Sequence, residues 1–122
     1  MGRVNLPVTS IIRTGVGNAG TLVAGDETDN HYFVNDGRTI ICVLKTGSTG
    51  ALTFKTPGTV DGQAIAEQIV TPAVHATKVT LIGPFPPSIY NQSGSAAEDN
   101  GTVHVDLSEQ DTFSLGAFRL PT

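Results

Sequence analysis

The chain of 122 residues has no tryptophan, two tyrosines, one cysteine and one methionine. A lone Cys42 permits no internal disulfide, which fits a reducing compartment. Charged residues make up 15% of the chain, against a usual ~25%, so disorder driven by charge is excluded. The seven basic residues, Arg3, Arg13, Arg38, Lys45, Lys55, Lys78 and Arg119, are scattered, and the net charge is −4. Nucleic-acid binding rests on clustered cations that release counterions, so no direct nucleic-acid partner is expected. No stretch approaches the ~18 apolar residues of a membrane span, and no membrane partner is expected. The first six residues hold no apolar core of the kind a signal peptide needs, and Leu6 stands where a myristoylation signal wants Ser or Thr. Neither export nor lipid anchoring is therefore expected.

What is abundant is β-branched. Thr, Val and Ile supply 36 of the 122 residues, and their stiff side chains suit pleated sheets better than helices. A chain this long can bury about two-thirds of its unfolded surface, enough for one core. Short apolar runs separated by Gly, Pro, Asn and Asp predict strands over residues 22–24, 31–34, 38–45, 51–56, 63–71, 77–82, 88–91 and 102–107. A last strand carries Phe113, Leu115 and Ala117. In 38–45, Ile40, Cys42 and Leu44 alternate with Ile41 and Val43, so both faces are apolar and the strand is central. Val103, Val105 and Leu107 point inward from their strand, as Val79 and Leu81 do from theirs. Asn35-Asp36-Gly37 reads as a hairpin turn, and residues 108–112 are short enough to join the last two strands as another. The fold class is all-β: a single-domain β-sandwich or jelly-roll-like barrel of about eight short strands over residues 15–122. Residues 1–14 precede it as an N-terminal arm or edge strand, because Pro7 cannot donate to a sheet ladder.

No motif carries chemistry. Gly15-Val16-Gly17-Asn18-Ala19-Gly20 matches a dinucleotide loop, but no helix pattern follows to hold a pyrophosphate. Asp26, Glu27, Asp29 and Asn30 lack the glycine and glutamate spacing of a calcium loop. Glu98, Asp99, Glu109 and Asp111 read as surface charges, and His31, His75 and His104 are far apart in sequence. Cys42 sits between Ile41 and Val43 with no cation beside it, the setting of an inert thiol. Ser48 and Ser93 lack a nucleophile elbow, and Asn91-Gln92-Ser93 is a glycosylation pattern without a secretion signal. The expectation is no catalytic residue, no cofactor and no metal.

Two apolar segments are more informative. Val4, Leu6, Val8, Ile11 and Ile12 lie at the N-terminus, where chains ordinarily fray. Either they pair inside their own sheet or they add a strand to a neighbour. Residues 83–90 form a proline-stiffened loop carrying Phe85, Pro86 and Tyr90. Either its aromatics close one end of the sandwich or the loop is a protein-contact surface.

The order of motifs resembles a family. Asn35-Asp36-Gly37-Arg38-Thr39 opens the buried strand, then come Thr56-Pro57-Gly58-Thr59-Val60-Asp61-Gly62 and Leu81-Ile82-Gly83-Pro84-Phe85-Pro86-Pro87-Ser88-Ile89-Tyr90-Asn91. Gly101-Thr102-Val103-His104-Val105 and Phe113-Ser114-Leu115-Gly116-Ala117-Phe118-Arg119-Leu120 complete it. Residues 32–120 in this way resemble the small β-rich head decoration or minor capsid proteins of tailed bacteriophages. The resemblance implies a virion structural protein, made in the host bacterial cytoplasm and bound to the capsid exterior. Its partners would be the major capsid protein and itself, as a homotrimer, and its action would be to clamp adjacent capsid subunits. Removal of residues 1–12 is then expected to weaken attachment while leaving the domain folded. The alternatives are a tail, head–tail completion or fibre component, or a carbohydrate-binding sandwich, which the scarcity of aromatics disfavours.

Overall fold

The structure is a computed structural model that describes residues 3–15, 22–47, 50–108 and 113–120. Among the described residues the strands are β1 (Val4–Asn5), β2 (Val8–Ser10), β3 (Val23–Ala24), β4 (His31–Val34), β5 (Thr39–Lys45) and β6 (Leu52–Phe54). They continue with β7 (Thr59–Val60), β8 (Gln63–Ala64), β9 (Gln68–Val70), β10 (Thr80–Ile82), β11 (Thr102–Leu107) and β12 (Phe113–Arg119). One sheet has the order β1-β4-β11-β6-β9 and the other β10-β5-β12-β2, with β3 sharing the β12 edge beside β2. The two sheets stack as a β-sandwich, and among the described residues no barrel closes. We call them the first and second sheet. β7 and β8 form a separate hairpin.

Alternation builds the core. β5 buries Thr39, Ile41, Cys42, Val43 and Lys45 and lies between β10 and β12. β11 turns Val103, Val105 and Leu107 inward, and β12 does the same with Phe113, Leu115 and Ala117. Phe33, Phe54 and Phe85 meet at the centre, with Phe85 ring centroids 5.5 Å from Phe33 and 4.8 Å from Phe54. Such tilted aromatic pairs add to the area they bury.

The N-terminal segment changes sheets. β1 runs parallel to β4, pairing Val4 with His31, while β2 runs parallel to β12, pairing Val8 with Ala117. Between them Leu6 enters the core with no exposed surface. Pro7 at the crossing removes a donor where the chain leaves one ladder for the other.

Four local expectations are corrected. Asn35-Asp36-Gly37 turns the chain, yet β4 and β5 belong to different sheets. The turn is therefore a crossing between layers, because a strand apolar on both faces takes a central place in the second sheet. β11 and β12 likewise lie in different sheets, so they form no hairpin. Their connection at residues 109–112 lies outside the described residues. In β10 the phase is inverted: Thr80 and Ile82 stand opposite the inward Val43 and Ile41, which turns Leu81 outward. Residues 88–91 are not a strand. Pro87–Tyr90 is a single helical turn, α1, because Pro87 presets the helical φ at the first position.

Candidate interaction surface

Chain continuity from β1 to β2 puts both on one flank of the sandwich, so β9 and β10 lie together on the other. On the first flank, Val4 and Val8 are half-buried, and Val8 packs against the core. The Ile11 N–H donates to the Arg119 carbonyl at 2.9 Å. Only Ile12 is broadly open, at 54%. Leu6 is a core residue and offers nothing to a partner, so the expectation that residues 1–12 can be removed without harm to the domain is corrected. The segment uses its own two sheets as pairing partners.

The proline loop is divided in the same way. Phe85 is 1% exposed and belongs to the core, which corrects its place among contact residues. Tyr90 is half-buried, edge-on to Phe85 at 5.2 Å, and its hydroxyl donates to Gln68 Oε1. Pro86 is exposed. Buried Asn35 fastens the loop: its Nδ2 donates to the Phe85 carbonyl at 2.9 Å and to Asn91 Oδ1 at 2.7 Å. Asn91 Nδ2 returns a bond to the Asn35 carbonyl at 3.0 Å, so the amide of the glycosylation pattern is committed internally. A Cβ on Gly58 would lie 2.5 Å from the Ser88 carbonyl, so a bare glycine is what lets α1 sit against this turn.

The other candidates serve structure. Asp26 Oδ1 accepts from the Thr28 and Asp29 N–H groups, the local bonding of a tight turn. Among the described residues no three His, Cys, Asp or Glu side chains group as metal ligands. Cys42 is buried, and burial pushes its thiol up, away from the reactive thiolate. The dinucleotide-like loop beyond Gly15, and Ser48, Glu109 and Asp111, lie outside the described residues.

The outer face of the first sheet is charged and paired. Arg3 Nη1 meets Asp106 Oδ1 at 2.5 Å, and Lys55 Nζ meets Asp106 Oδ2 at 3.3 Å and Glu67 Oε2 at 3.0 Å. The Glu67 carboxylate, then Asp106, holds the Lys55 ammonium above its usual range. Glu98 accepts from the Arg3 N–H, and His104 lies 3.1 Å from Asp99. These groups satisfy one another and fit a face turned to water.

The second flank is different. From Gln68 to Leu81 the only charge is Lys78. Ile69 is 69% exposed, Leu81 64%, Val74 50% and Val79 45%. Ile69 and Leu81 are the middle residues of β9 and β10, the edge strands of the two sheets; Ile69 stands in one row with Thr53 and Asp106 at the margin of the first sheet's outer face, and Leu81 turns outward from the second sheet. The linking segment is shaped by His75, whose Nδ1 accepts from the Thr77 and Lys78 N–H groups at 3.0 and 2.9 Å. Val74 bridges to Lys45, and the His75 N–H donates to the Lys45 carbonyl at 2.9 Å, which holds this segment to the sheet. Apolar side chains are thus displayed on an ordered flank. Sequence reasoning missed this site because it turned Val79 and Leu81 inward; the near absence of charge from 68 to 81 was the available signal. Compared with protein-family models, curated proteins and solved structures, the chain matches none.

Proposed function

We propose that this chain is a non-catalytic virion structural protein that docks through the flank at residues 68–81. Its partner is the outer surface of a phage shell built from a major capsid protein, whose adjacent subunits it clamps as a homotrimer. The resemblance over residues 32–120 supplies the setting. The observation that carries the contact is the exposure of Ile69 on β9, of Leu81 on β10, and of Val74 and Val79 in the segment that joins them, with Lys78 the one charge from Gln68 to Leu81. Exposed apolar side chains on an otherwise polar surface mark sites of protein association, and the stretch from 68 to 81 that carries these is depleted of charge, as interface centres are. A protein that binds only the assembled shell stabilises it by mass action, and many copies add avidity.

The test is co-sedimentation of the purified protein with intact shells, beside the double variant Ile69→Ser, Leu81→Ser. The wild type is expected to saturate the shells and the variant to lose at least tenfold in affinity, with its unfolding midpoint unchanged. Equal occupancy by the variant would remove the flank from the contact. Absence of binding by the wild type, or a hexameric ring in solution, would overturn the decoration role in favour of a tail component.

A further inference from the structure

His31 is fully buried, and both ring nitrogens are committed. Nε2 lies 3.0 Å from the Asp26 N–H, a group that can only donate, so this nitrogen carries no proton. Nδ1 lies 3.3 Å from the Val4 carbonyl, a group that can only accept, so the proton sits there. The two partners fix a single neutral tautomer. They also belong to different segments: Val4 to β1, Asp26 to the turn that leads into β4.

Other ties of those segments run through the backbone, Asn30 and Arg3. The Val4 N–H donates to the Asn30 carbonyl at 2.9 Å, and the Leu6 N–H to the Tyr32 carbonyl at 2.8 Å. Asn30 takes a left-handed φ of 61° and accepts the Leu107 N–H on its side-chain oxygen at 2.9 Å. The turn is therefore hinged on a residue in a sparsely populated conformation. A two-residue edge strand and a turn of this kind belong to the low-stability end of a domain, where local opening occurs without global unfolding.

We propose that His31 is an acid-operated latch: a proton taken from solvent onto Nε2 releases β1 and the turn at residues 26–30 while the central strands stay folded. The new N–H would face the Asp26 N–H, so that hydrogen bond breaks, and an imidazolium would sit in a buried place. Burial disfavours it most, lowering the imidazole below its usual value; the Arg3 guanidinium opposes it too, and the Asp26 carboxylate favours it. Among the described residues the charged groups around the ring are few. Just before β1 there is Arg3, whose Nη1 donates to the His31 carbonyl and to Asp106 of β11 and whose N–H donates to Glu98. On the turn there is Asp26, already occupied by the Thr28 and Asp29 N–H groups, with Glu27 and Asp29 nearby in sequence. On β4 and β11 the inward neighbours Phe33 and Val105 are apolar.

Backbone amide exchange of the full chain, followed by NMR between pH 7 and pH 5 and corrected for intrinsic rates, tests the latch. Opening of the Val4 and Asp26 amides is expected to rise about tenfold per pH unit below about 6.5, the signature of one proton. Val43 and Leu115 should keep their protection. His31→Gln, which keeps a donor and an acceptor but cannot titrate here, should abolish the pH dependence. An unchanged slope in His31→Gln, or loss of protection in β5 and β12 together with β1, would overturn the latch. Should the variant fail to fold, the wild-type imidazole nitrogen spectrum at pH 7 decides: a proton on Nδ1 alone upholds the arrangement, and any other form sinks it.

Discussion

The two flanks of the sandwich solve the same problem in opposite ways. On one flank the chain's own N-terminal strands pair with both sheets, and Leu6 fills the space between the layers with no exposed surface. On the other, β9 and β10 stay open, each three residues long, with Pro72 and Pro84 close by. Short edges followed closely by proline resist indiscriminate strand addition. The apolar groups shown there, Ile69 at 69% and Leu81 at 64%, are therefore displayed on edges that discourage aggregation. The difference teaches that Leu6 and Val8, which the sequence offers to a partner, serve the core, whereas Ile69 and Leu81 are left outside.

Substitutions can break that contrast, beginning with the largest effect. Leu6→Ala on the closed flank should cost about 2–5 kcal/mol, the range for emptying a buried leucine site, read as a lower denaturant midpoint; a change below about 0.5 kcal/mol would show that the closed flank is not part of the core. Next is Asn35→Ala, which strands the Phe85 carbonyl and Asn91 Oδ1. A loss of about 1–3 kcal/mol is expected from buried groups left unpaired. Lys55→Met on the charged face should cost about 0.2–1 kcal/mol, and less in high salt, because exposed ion pairs are screened. The smallest effect sharpens the contrast: Leu81→Ser should stay within about 0.5 kcal/mol of wild-type stability, the usual range at an exposed site. A destabilisation comparable to that of Leu6→Ala would mean that the open flank is structural.

Acid supplies a further comparison within the closed flank. His31 has a lowered pKa in the folded chain because of burial, so the unfolded chain binds its proton first. The stability it contributes is complete above about pH 6.5 and declines as the pH falls below that value. Denaturant titrations of wild type and His31→Gln at pH 7.5 and 5.5 should show a larger acid loss in the wild type.

Much of the fold was legible because burial repeats with the strand period. Ile41 and Val43, Val103 and Val105, and Leu115 and Ala117 face the core as their alternation requires. Pairing partners were not legible, since turns report reversal and not the sheet that receives the next strand. Asn35-Asp36-Gly37 looks the same whether it joins neighbours or crosses between layers. The phase of β10 was hidden because Val79, Leu81 and Ile82 offer apolar groups to both faces, and the β5 register decides between them. The open flank was missed for that reason, and the His31 latch because Val4, Asp26 and His31 meet only once β1 lies parallel to β4.

The marriage of β2 to β12 has a temporal side. Ser10 pairs with Arg119 at one end of the strand order, and Phe113 to Arg119 also closes onto β5 along its whole length. Folding must therefore wait on contacts that span most of the chain, a topology that slows the search. During synthesis β2 remains without its lasting neighbour until β12, more than a hundred residues further on, has been made.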